Sequence, residues 1–125
     1  MLRNPGELDK WQGAGRSMKI LASPEETGTA NLSVLLVEFE AGQGTPVHTH
    51  DGVEVMFVVD GEGTSVEDGK TSKITTHSVV VAPKGVPHQI VNGSGAKMHM
   101  ITIYTPPLPG SYIQANYKKV PAKKV

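Results

Sequence analysis

The run GQGTPVHTHDGVEVMFVVDG, residues 42–61, sets two histidines one residue apart and a glutamate four residues further on inside a stretch otherwise rich in strand formers. Side chains alternate faces along a strand, so His48, His50, Glu54, Met56 and Val58 share one parity. If the strand runs unbroken through Asp51 and Gly52, they share one face. Facing water, the polar trio is ordinary surface decoration. Facing a core, it is costly, because a buried ionised carboxylate and unpartnered imidazoles need either a hydrogen-bond network or a cation. A divalent cation satisfies all three together. Nitrogen and oxygen donors without sulfur suit Mn, Fe, Ni, Co, Cu or Zn.

The rest of the chain favours the buried reading. At 125 residues it fits one domain with a genuine core. Twelve basic residues balance twelve acidic ones, so no basic footprint for nucleic acid is expected. No cysteine is present, which excludes disulfides, thiolate metal sites and a cysteine nucleophile, and fits a cytoplasmic location. Apolar runs fall short of a membrane span, and MLRNPGELDK lacks the apolar centre of a signal peptide.

Fourteen glycines and nine prolines punctuate short β-rich segments, and no helical period is sustained, so the chain reads as all-β, a sandwich or barrel with few helices. Strands are expected at residues 18–21, 32–40, 53–60, 64–67, 71–75, 78–82, 88–91 and 98–104. Asp68-Gly69 is a strong two-residue hairpin signal and Asn92-Gly93 a second. The expected layout is one domain, 1–125: an arm over 1–17 carrying Trp11, a barrel over about 18–106, and a solvated tail over 107–125.

PKGVPH, residues 83–88, forms a corner in which the prolines fix φ and remove two ladder donors just before a histidine. His88 is thereby aimed as a fourth ligand, giving three histidines and one carboxylate. His99 is the candidate catalytic acid or base. With a two-residue loop after Asn92 it pairs opposite His88 and faces inward; with one more loop residue it turns out and Met98, Met100, Thr102 and Tyr104 face in. Met56, Val58 and Ile90 supply an apolar wall. No Ser/His/Asp set with credible spacing is visible.

These spacings are those of a known family. Gly42, His48, His50, Glu54 and Gly61 match the whole first motif of the cupin superfamily, and Pro83, Gly85, His88 and Asn92 match the second, with His77 where its leading glycine is expected. The chain therefore resembles a small single-domain cupin of the type-2 conserved-barrel kind over residues 42–92. The resemblance implies a double-stranded β-helix, a jelly-roll-like barrel, and it carries the family's metal-ligand positions to His48, His50, Glu54 and His88. It also implies a homodimer, which the apolar strand LSVLLVEFE supports. Cupins of this size include decarboxylases, lyases, isomerases and dioxygenases. The expected function is metal-dependent, redox-neutral chemistry on a small oxygen-rich acid, ketone or sugar; the alternatives are an iron-dependent dioxygenase and a non-catalytic small-ligand binding module.

Overall fold

In the computed structural model, which describes residues 1–122, ten strands form two antiparallel sheets. The strands are β1 Lys10–Gln12, β2 Arg16–Ala22, β3 Ser33–Phe39, β4 Val53–Asp60, β5 Glu62–Glu67, β6 Lys70–Thr75, β7 Val79–Ala82, β8 His88–Val91, β9 Met98–Thr105 and β10 Lys118–Val120. The large sheet runs β10-β1-β2-β3-β9-β4-β7 and the small one β6-β5-β8. Two short helices, α1 Pro24–Thr27 and α2 Gly110–Asn116, complete the described elements of regular structure with one 3-10 turn at Pro5–Glu7. Among the described residues no helix is long and apolar enough to cross a membrane.

Alternation explains the layering. Along β3 burial switches at every residue, so Ser33, Leu35, Val37 and Phe39 face the interior. Cross-strand pairing extends each into an interior row: Leu35 with Thr102 and Met56, Val37 with Met100 and Val58. Leu35, Val58, Met98 and Met100 are fully buried at the centre. Asp68 and Gly69 both take positive φ, 47° and 79°, and close the β5–β6 hairpin with Glu67 opposite Lys70. Glycine takes that conformation without strain, as the two-residue turn requires.

Three expectations are corrected. Asn92-Gly93 does not close a hairpin: β8 pairs with β5 in the small sheet, whereas β9 lies between β3 and β4 in the large one. The cause is Asn92 itself, fully buried, whose amide reaches the carbonyls of Phe39, Glu40 and Ala96 at 3.2, 3.1 and 2.7 Å. It ties down a loop that carries the chain from one sheet to the other.

The polar trio does not ride on one strand either. Residues 44–48 lie beside β8 through bridges Gly44–Val91 and His48–His88, the chain bends at Asp51-Gly52, and only then does β4 begin. Finally, the expected tail is built into the fold: α2 buries Ile113, Tyr117 is buried beyond it, and β10 pairs with β1 at the sheet edge. The last residues of that expected tail, 123–125, lie outside the described residues.

Candidate metal centre

His48 and His88 are held by the same device. Each ring donates Nδ1–H to the backbone carbonyl two residues before it, His48 to Pro46 at 2.7 Å and His88 to Val86 at 2.9 Å. Prolines at 46 and 87 help shape both approaches. With Nδ1 occupied, Nε2 is the atom each ring turns away from the backbone, a donor when the ring is protonated and a ligand lone pair when it is neutral. The mutual bridge, His48 N to His88 O at 3.0 Å and His88 N to His48 O at 2.9 Å, holds the two rings side by side.

His50 and Glu54 close the set. His50 Nε2 is 3.1 Å from His48 Nε2 and 3.0 Å from Glu54 Oε1, and His88 Nε2 is 3.1 Å from the same oxygen. Four potential ligand atoms thus lie within 4.8 Å of one another. The three contacts of 3.0–3.1 Å are close to the edge, about 3.0 Å, that donors about 2.1 Å from one ion make at right angles. The crossing of the two sheets supplies the convergence: Glu54 from β4 of the large sheet, His88 from β8 of the small one, His48 and His50 from the strap between them.

Electrostatics favour a positive charge at the centre. Burial pushes the Glu54 carboxyl up, but hydrogen bonds from His50, His88 and Tyr104 outweigh it and hold its pKa at about 2. It is therefore anionic in the interior. The bond to Glu54 raises the His88 imidazole above its ordinary range, against the effect of burial. Burial lowers His48, despite its bond to Pro46. Two Nε2 atoms 3.1 Å apart cannot both carry protons, so at least one lone pair points at the other ring. A cation satisfies these facing donors, and the residues present suit a divalent metal.

The centre opens into a cavity of about 390 Å³ walled by Met18, Val37, Met56, Ile90 and Met100 and covered by Leu108 and Tyr112. Met56 and Ile90 stand where the expected apolar wall requires, while Val58 is buried core behind it. Tyr104, opposite Glu54 across the β4–β9 ladder, is pushed well above its ordinary pKa by burial and by the Glu54 charge; it stays protonated and donates to that carboxylate. Its ring also meets His50 edge-on, with centroids 5.2 Å apart.

His99 is absent from this group. Because β9 belongs to the large sheet, Met98, Met100 and Thr102 take the interior and His99 turns outward between Asp60 at 2.6 Å and Glu38 at 3.0 Å. The position expected for an acid or base near the ligands is held instead by Tyr104, the inward residue of the alternative register. Arg16, Tyr112 and Tyr117 also line the cavity and carry no local sequence signal, since they come from the opening of β2 and from the region around α2.

The cupin-domain family model matches residues 35–104, a span that includes all four clustered residues. The chain is a cupin. Solved structures agree in fold: an RmlC-like cupin from Shewanella frigidimarina has a TM-score of 0.77 at 20% identity, covering 89% of this chain and 94% of that one. A protein from Thermotoga maritima described as a predicted oxalate decarboxylase gives 0.77 at 18%, covering 85% and 99%. The polyketide cyclase RemF from Streptomyces resistomycificus gives 0.74 at 19%, covering 84% and 79%. No curated protein matches. This cupin departs from the motif at His77, whose φ of 73° is the left-handed conformation that a glycine there would adopt freely.

Proposed function

We propose that His48, His50, Glu54 and His88 hold a divalent transition metal and that this cupin acts on a small oxygen-bearing metabolite by redox-neutral lyase, isomerase or decarboxylase-type chemistry. One observation carries the metal: two backbone-locked histidines turn Nε2 into one cluster, His88 onto the buried Glu54 carboxylate, which stays ionised, and His48 onto His50, which touches the same carboxylate. A bound divalent ion would supply Lewis acidity to a carbonyl, carboxylate or enolate oxygen of the ligand. The chain's own groups do the rest. Glu54 offsets part of the metal charge, Tyr104 fixes that carboxylate and offers a protonated hydroxyl beside the centre, and the apolar wall keeps water from the bound ligand.

His48→Ala and His88→Ala should each lower bound metal, by elemental analysis, from about one per chain to near zero, while the β-rich circular dichroism spectrum persists. Full metal content in both variants would remove the assignment. The redox-neutral preference is tested on protein loaded in turn with Mn, Zn and Fe. Oxygen consumption with Fe alone would replace it with dioxygenase chemistry, and ligand binding without turnover under any metal would leave a binding module. We also propose a homodimer working in a reducing compartment, the second of which suits a chain without cysteine.

A further inference from the structure

Arg16 opens β2 opposite the inward-facing Phe39 and lines the same cavity as the histidine cluster. Its Nε donates to the Tyr117 hydroxyl at 2.9 Å and its Nη1 to the Gly44 carbonyl at 3.0 Å. The guanidinium is thus fixed from two sides, by the segment that leads to His48 and by the residue that ends α2. Among the described residues no carboxylate pairs with it and its Nη2 has no protein partner, whereas the chain's other arginine, Arg3, lies 3.6 Å from Glu26. A partly buried cation held rigid and left without a counter-charge is arranged for an anion from outside, and a planar fork suits a carboxylate.

The two polar ends of the cavity are separated by apolar ground. Arg16 belongs to the interior row of Phe39 and Met98, and Glu54 to that of Ser33 and Tyr104. Between them lie Met18, Val37 and Met100 in one row and Met56 with Thr102 in the next, where the buried Thr102 hydroxyl, without a protein partner, is the one polar group. A polyhydroxylated ligand crossing that wall would lose hydrogen bonds to water and gain few in return. An apolar body would gain by the same burial.

We infer that Arg16 is a specificity-determining residue and that the cavity takes a carboxylic acid with an apolar or aromatic body, its carboxylate on Arg16 and its chelating oxygens toward the histidines. The inference rests on the metal reading above and deepens it. The ligand enters as an anion at one end and as an oxygen chelator at the other, and the wall between selects against sugars.

A series of catechol-terminated alkanoic acids of increasing chain length, each with its methyl ester, tests this by calorimetry on manganese-loaded protein, with glucuronate as a sugar acid of equal charge. At the best length the acid should bind about tenfold or more tighter than its ester, the gain of one charge-assisted pair. Arg16→Gln should abolish that preference and leave ester affinity unchanged, and Arg16→Lys should retain part of it. Tyr117→Phe, which removes one anchor of the guanidinium, should weaken acid binding alone, and serves if Arg16→Gln does not fold. Equal binding of acid and ester at every length, a preference that survives Arg16→Gln, or glucuronate binding as tightly as the best acid would overturn the inference. Manganese content measured on the same samples separates the two readings. Acid preference without bound manganese sinks the metal and leaves Arg16 standing; bound manganese without acid preference does the reverse.

Discussion

His77 holds a φ of 73°, and its ring stacks on Phe57 at a centroid distance of 5.9 Å. A β-carbon in the left-handed region costs about 1–2 kcal/mol, part of which glycine returns through its greater freedom when unfolded. His77→Ala and His77→Gly both lose the ring, so comparing them isolates the backbone. The glycine variant should be more stable than the alanine variant by about 0.5–1 kcal/mol in urea denaturation. Equal midpoints would mean that the turn is not strained by its side chain. The four cluster residues were legible at this scale, because HxH, Glu54 and the Pro-Gly corner before His88 have few other joint uses. What locks the rings was not. The carbonyls of Pro46 and Val86 are backbone groups whose direction depends on the fold, and the Tyr104 bond to Glu54 depends on a register that the loop at residues 92–97 left open.

The strap that carries His48 and His50 sits on β8 with no room to spare. A β-carbon on Gly44 would run into the Ile90 carbonyl oxygen and come within 2.9 Å of Val91 Cα, both backbone atoms that cannot step aside. Gly44→Ala should therefore cost about 1–3 kcal/mol of stability and also weaken metal binding, since moving residues 44–48 pulls His48 from His88. Denaturation and metal titration of one preparation check both effects. A stability loss with unchanged metal affinity would disconnect the strap from the centre.

The outward His99 gives β3, β9 and β4 a common clamp. Burial pushes its imidazole down, but the bonds to Asp60 and Glu38 outweigh it and raise it above the ordinary histidine value. The other charge at this cluster is Lys97, paired with Glu38 at 3.5 Å and Glu40 at 3.8 Å. A raised folded pKa means that the clamp's contribution is complete below the unfolded value, about 6.5, and is lost as pH rises through the folded one. The stability difference between wild type and His99→Gln should accordingly be larger near pH 6 than near pH 9. A difference that is flat or grows with pH would contradict the charged clamp. Strand positions were legible from alternation and turn chemistry almost residue by residue. Their assignment to sheets was not, because Asn92 reads as a turn former and acts as a buried tie, and because the three-residue strands β1 and β10 are too short to show a period.

The outer face of the large sheet is where the whole molecule departs from a monomer's surface. Across β3, β9, β4 and β7 two cross-strand rows are apolar, Leu36, Ile101, Phe57 and Val79 in one, which Lys19 ends on β2, and Val34, Ile103, Val55 and Val81 in the other. Val79 is 57% exposed and Val81 50%, and both sit on β7, the strand at the sheet edge. The next row carries Glu38, His99 and Asp60, so a charged rim borders the apolar ground at one end. A contiguous apolar patch with a polar border is the form of a protein contact surface, and a two-fold axis through it would bring the same eight side chains onto themselves. Sedimentation equilibrium should find a mass of twice 13.3 kDa. Val81→Glu places a charge within that apolar patch without touching the core, because the side chain faces away from Ala82 and the interior. It should return the protein to a monomer with its metal content intact. A wild type that sediments as a monomer would remove the dimer, and a dimer that survives Val81→Glu would move the contact to another face.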